Sequence, residues 1–154
     1  MKPLIIFCIL ICFSCKNNSD HNSEISDNES EKTAHSLEGA WQLVSYLNFN
    51  EDGTFDTINT SATNKQIKMY SKSKIMWSRT RIYDTIDWFG CGDYTLKDNV
   101  LTEVLDYGSK SMNTVLKEKR AFVFYIILED NKFTQIEKDS LGAPVLAENY
   151  IRLE

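Results

Sequence analysis

The stretch Arg120-Ala121-Phe122-Val123-Phe124-Tyr125-Ile126-Ile127-Leu128-Glu129-Asp130-Asn131-Lys132-Phe133-Thr134-Gln135-Ile136-Glu137-Lys138 decides the fold class. Residues 120–128 read as a strand, because Phe122 to Ile127 are β-branched or aromatic in succession, the types that fill a pleated, half-buried surface. Glu129-Asp130-Asn131 breaks the run with turn-forming residues, and 132–138 reads as a second strand. The two predict an antiparallel hairpin. The first strand is apolar on both faces, so one face meets a core and the other needs cover from a loop, from 109–117 or from a partner.

The pattern repeats outward in both directions. A loop through Gly142 and Pro144 leads to a final strand over 147–153. Upstream, strands over 100–107 and 89–96 pair across Lys97-Asp98-Asn99, and strands over 74–80 and 65–71 across Lys72-Ser73. A first strand over 40–48 ends at the turn signal Asn50-Glu51-Asp52-Gly53. The threonine-rich 55–64 reads as a loop with room for a short strand, and 109–117 is the one place where a helical turn fits. Gly90-Cys91-Gly92 lies inside a strand pattern and reads as a bulge or a close-packing spot. The chain lacks the alternating helices of about 10–15 residues that a parallel α/β sheet needs. Repeated hairpins therefore predict an all-β domain over 37–154, an antiparallel up-and-down β-barrel of about eight strands. Closure removes the free edges that an open sheet would expose. An open sandwich is the alternative.

Ahead of the domain, Leu4 to Phe13 is an unbroken apolar run behind Met1 and Lys2. It is too short for the roughly 20 residues of a spanning helix and has the size of a signal-peptide core, so 1–14 is expected to be a signal peptide. Residues 15–36 then form a tether. From Lys16 onward it is rich in serine and asparagine and net acidic, with too little apolar surface to offset chain entropy, so disorder is expected. Of the four cysteines, Cys8 and Cys12 leave with the signal, and Cys91 has no intrachain partner once Cys15 is blocked by lipid.

Composition excludes several function classes. The net charge of −5 argues against nucleic acid as a partner. Both histidines, His21 and His35, precede the domain, which leaves no Ser-His-Asp or Cys-His machinery and no His/Cys zinc or haem site within it. No cofactor and no metal are expected. Asp84, Asp87, Asp93, Glu103 and Asp106 could supply an acid/base pair, but read more simply as rim charges. Aromatic surface is abundant, and an aromatic-lined cavity with a few polar groups suits a small molecule; equally, the same rings could fill the barrel. The ligand-binding candidates are Tyr70, Trp77, Arg79, Tyr94, Glu103 and Tyr125, with Gln135 as a further polar group. Arg79 shares a face with Trp77 by period two and is suited to a carboxylate head group.

Gly39-Ala40-Trp41 opens the domain and Tyr150-Ile151-Arg152 closes it. Together they resemble the lipocalin pattern. More closely, the chain resembles bacterial lipocalin-like lipoproteins of the Bacteroidetes type. The matching stretches are Leu37-Glu38-Gly39-Ala40-Trp41-Gln42-Leu43-Val44-Ser45, Lys68-Met69-Tyr70-Ser71, Met76-Trp77-Ser78-Arg79, Gly90-Cys91-Gly92-Asp93-Tyr94-Thr95-Leu96 and Leu101-Thr102-Glu103. The segment Cys12-Phe13-Ser14-Cys15-Lys16 resembles a lipoprotein signal with a small residue before the lipidated cysteine, although Cys12 stands where a leucine-like residue is usual. An ordinary secretory signal is the competing reading.

The resemblance implies that Trp41 plugs the closed end of the barrel with Arg152 packed over it, and that Cys15 carries lipid. It also implies anchoring to the inner or outer membrane of a bacterial envelope. The function it suggests is non-enzymatic binding of a small hydrophobic or amphipathic molecule. A filled barrel acting as an interaction or inhibitor module is the alternative, and a carboxylate-based enzyme is a more distant third.

Overall fold

The computed structural model describes residues 35–81 and 86–154. The expected signal peptide, Cys15, Asp84 and all but the last two residues of the expected tether lie outside them. The elements run β1 (Gly39–Phe49), β2 (Phe55–Asn59), β3 (Asn64–Tyr70), β4 (Lys74–Arg81), β5 (Trp88–Lys97), β6 (Val100–Gly108), α1 (Lys110–Val115), β7 (Ala121–Leu128), β8 (Lys132–Lys138) and β9 (Pro144–Arg152). All pairings are antiparallel between neighbours, and β9 pairs back onto β1 to close a ring of eight strands. The barrel expectation holds, and the open sandwich is set aside.

The ninth strand, β2, is the short strand in 55–64. It stands outside the ring and pairs only with the far half of β1, from Ser45 to Phe49. The near half of β1, Gly39 to Gln42, pairs with β3. Thr60 sits where the partner changes. Its hydroxyl donates to the carbonyls of Leu43 and Val44 at 3.0 and 3.1 Å. On the other side of β1, the register with β9 shifts between Leu43 and Ser45. A bulge of this kind re-aims the strand and places both Leu43 and Tyr46 on the inner face.

Local chemistry sets the turns. Asp98 and Asn99 adopt φ of 51° and 61°, the left-handed pair that a two-residue hairpin turn requires and that Asp and Asn tolerate. The glycine pair behaves as expected. The β5–β6 register shifts between Cys91 and Gly92, and a Cβ on Gly92 would lie 2.1 Å from the Val104 carbonyl oxygen. Gly90 faces Trp77 across the ladder and leaves room for its indole.

The ends of the barrel differ. At one end are the start of β1, the end of β9 and the tight turns after β3, β5 and β7. Here Trp41, Leu43, Phe133 and Tyr150 are all 0–1% exposed. Trp41 meets Phe133 edge-on at 4.9 Å, and Phe133 stacks on Tyr150 at 4.5 Å. At the other end the short helix α1 follows β6. Ser109 caps it by accepting from the Met112 N–H, and Met112 and Leu116 are its buried anchors. It packs on β5 and β6. The helix therefore does not cover the outer face of β7, where Val123, Tyr125 and Ile127 remain exposed.

Candidate functional site

Tyr70 is an interior residue of β3, so period two places Lys68 and Gln66 on the same inner face. Their outward neighbours are the apolar Ile67 and Met69, both exposed. A lysine and a glutamine thus enter the barrel while apolar side chains face solvent. They persist inside because every polar atom finds a partner across the lumen.

Lys68, 3% exposed, is the hub. Its ammonium donates to Glu103 on β6 and to Gln135 on β8, both at 2.8 Å. Tyr70 donates to the same Glu103 oxygen at 2.5 Å. Arg79 on β4 donates through Nε to Gln66 at 2.5 Å and through Nη2 to Glu148 on β9 at 3.0 Å. Glu148 also accepts from Gln135 and Tyr150, and Gln66 donates to the Tyr150 hydroxyl. Two cations and two carboxylates form one connected network bridging strands that are not neighbours in the sheet. Burial, followed by the charge of Glu103, pushes the Tyr70 phenol well above its ordinary value. Burial and then Glu148 do the same to Tyr150.

Above this layer, on the helix side, is a cavity of about 210 Å³. Its polar floor is the network of Gln66, Lys68, Arg79, Glu103, Gln135 and Glu148. Its apolar wall is Trp77, Leu105, Met112, Phe122, Phe124 and Leu146, and Glu137 completes the lining.

The sequence candidates divide accordingly. Trp77, Arg79 and Glu103 line the cavity, as does Gln135. Glu103 is 2% exposed and is not a rim charge. Arg79 already donates through Nε and Nη2, and its guanidinium lies 5.7 Å from the Tyr46 ring. Tyr70 is in the network below the cavity. Tyr94 packs edge-on against it at 4.9 Å and donates to the Ser71 carbonyl, at the closed end and away from the cavity. Tyr125 is on the outer face, 44% exposed, with the Lys138 ammonium 3.8 Å from its ring centroid. The apolar run of β7 offered no alternation to reveal this. Its inward set is Phe122, Phe124 and Ile126. Asp93 and Asp106 are exposed and pair with Lys74 and Arg120.

Comparison with family models, curated proteins and solved structures gives no match. Gly39, Trp41 and Arg152 meet where β1 begins and β9 ends. The Arg152 guanidinium lies 4.0 Å from the Trp41 ring centroid. Its Nε, Nη1 and Nη2 donate to the carbonyls of Asp130, Glu38 and Ser36 at 2.7, 2.6 and 2.7 Å. The Trp41 indole N–H donates to the Leu37 carbonyl at 2.7 Å. Gly39 has φ of +126°, and a Cβ there would lie 2.4 Å from the Glu154 carbonyl oxygen. The glycine is required by both conformation and space.

Gln66, Lys68 and Glu148 were not among the sequence candidates. The signal was period two from residues that were: Tyr70 implies Lys68 and Gln66, and Arg152 implies Tyr150 and Glu148.

Proposed function

We propose that this protein is a lipid-anchored, non-enzymatic lipocalin-like barrel of a bacterial envelope that binds a small, partly apolar molecule inside the barrel. The observation that carries the reading is the cavity between the polar network and the helix end. It joins an aromatic and aliphatic wall to a few fixed polar groups, the composition of a small-molecule site. The interior carboxylates Glu103 and Glu148 are each held by a cation and a tyrosine hydroxyl. That favours a structural role for them over proton transfer. Lipid on Cys15 and envelope localisation rest on the sequence alone.

An interaction module is the second reading, supported by a row on the outer face in which Met69, Met76 and Tyr107 are exposed and Cys91 is half-buried. Met69, Met76, Cys91 and Tyr107 stand opposite one another across β3 to β6. Titrating the full chain with apolar fluorescent probes, amphipathic acids, alcohols and amines distinguishes the two. Binding at micromolar strength with a change in Trp77 emission is the expected result. Silence across the panel would favour the interaction module.

A further inference from the structure

We infer that the cavity takes a compact one-ring molecule with a short substituent that is uncharged or carries a single positive charge, and that Glu137 enforces the preference against anions. This rests on the cavity being the binding site, and it names the class of guest. Size is the first constraint. An apolar cavity of about 150 Å³ takes up benzene, so about 210 Å³ holds a ring with a short substituent. A long acyl chain would leave most of its length outside.

Charge is the second constraint. The cations that face the cavity are Lys68 and Arg79, and their ion-pair partners are Glu103 and Glu148. A carboxylate guest at Arg79 would sit beside Glu148, which is 5% exposed and already accepts from Nη2, and two anions would share one guanidinium in a low-dielectric interior. Glu137 is different. It lies two residues beyond Gln135 on β8, lines the cavity, is half-buried, and makes no side-chain hydrogen bond or ion pair with another described residue. Among the lining groups it is the one charge left without a counterpart. Lys119 stands 5.1 Å from the Phe122 ring centroid but is not part of the lining and forms no ion pair with Glu137. A guest ammonium at Glu137 would gain that charge, and its ring would lie among Trp77, Phe122 and Phe124.

Calorimetric titration of the full chain with phenethyl alcohol, phenethylamine, phenylacetate and palmitate tests this. The first three share a ring and differ chiefly in charge. Phenethylamine should bind more tightly than the alcohol by on the order of fivefold, the factor a partly screened contact charge supplies. Phenylacetate should be weaker than the alcohol. Glu137→Gln should bring the ratio of amine to alcohol affinity down to about one. A ratio that persists at about fivefold in that variant, or phenylacetate matching the alcohol, overturns the charge rule. Palmitate binding more tightly than every ring compound overturns the guest class while leaving a ligand-binding barrel. No binding by any of the four overturns both.

Discussion

At the scale of the residue, Arg152 shows how one side chain can hold three segments. Its donors fix the incoming chain at Ser36 and Glu38 and the β7–β8 turn at Asp130, while its plane covers Trp41. Trp41→Ala should cost about 3–5 kcal/mol, as for any large buried aromatic. Arg152→Ala should cost less, and the double variant should fall short of additivity in denaturant melts because the two side chains touch. Strict additivity would show that they do not stack in solution. Lys68→Met should cost about 3–5 kcal/mol, because it strands Glu103 without its cation. Adding Glu103→Leu should recover much of the loss, and failure to recover would mean that shape rather than charge dominates.

The tyrosines of the network make a pH prediction. Tyr70 and Tyr150 have folded-state values raised well above the ordinary phenol value, by burial first. The folded chain therefore keeps protons that the unfolded chain releases. Their contribution is fully present below the unfolded value of about 10 and is lost as pH climbs above it. Alkaline unfolding followed by circular dichroism and tyrosinate absorbance should show these phenols ionising only together with loss of structure.

At the scale of the element, β2 and α1 have opposite standing. All five residues of β2 are exposed, and its hydrogen bonds run only to β1. Its amides should exchange far faster than those of β1's near half. Phe55→Ser with Ile58→Ser should cost under about 1 kcal/mol, as substitutions on exposed positions do. α1 is short but anchored, and Met112→Ala should cost about 2–4 kcal/mol and enlarge the cavity. A cost near zero would mean the helix moves freely over the barrel mouth.

The hairpins were legible because turn chemistry is local: Asp98-Asn99 reports its own backbone. The lining of β3 was legible only through Tyr70, since Ile67 and Met69 alternate with Gln66 and Lys68 and the usual rule turns the wrong face inward. The network spans strands far apart in sequence, as in Lys68 to Glu103 and Arg79 to Glu148, and no local pattern encodes such pairs. Trp77 and Arg79 could be read as lining because a single strand carried both.

At the scale of the whole molecule, the arginine clamp holds the segment that leads into β1. His35 contacts Asp130 at 2.7 Å, Ser36 offers its carbonyl to Arg152, and Leu37 is 3% exposed. The end of the tether is thus docked on the barrel. A chain beginning at Ser36 should melt within a degree or two of the mature form. One beginning at Gly39 loses Leu37 and two acceptors of the clamp, and its melting temperature should drop by about 5 °C or more. Equal melting of the two would show that the clamp contributes little.

The seam between β1 and β9 also sets the timing of folding during synthesis. The first and last strands of the ring are joined to each other, so a nascent chain lacking 144–152 has a sheet with two open edges and no partner for Trp41's neighbour Leu43. Each earlier hairpin can form as it emerges, but the ring waits for the final residues to clear the ribosome. Arrested chains ending before Pro144 should be cut readily by protease, and those extended past Glu154 by a linker long enough to leave the exit tunnel should resist. Until that moment the chain remains unfolded enough to be threaded, captured by a chaperone or degraded.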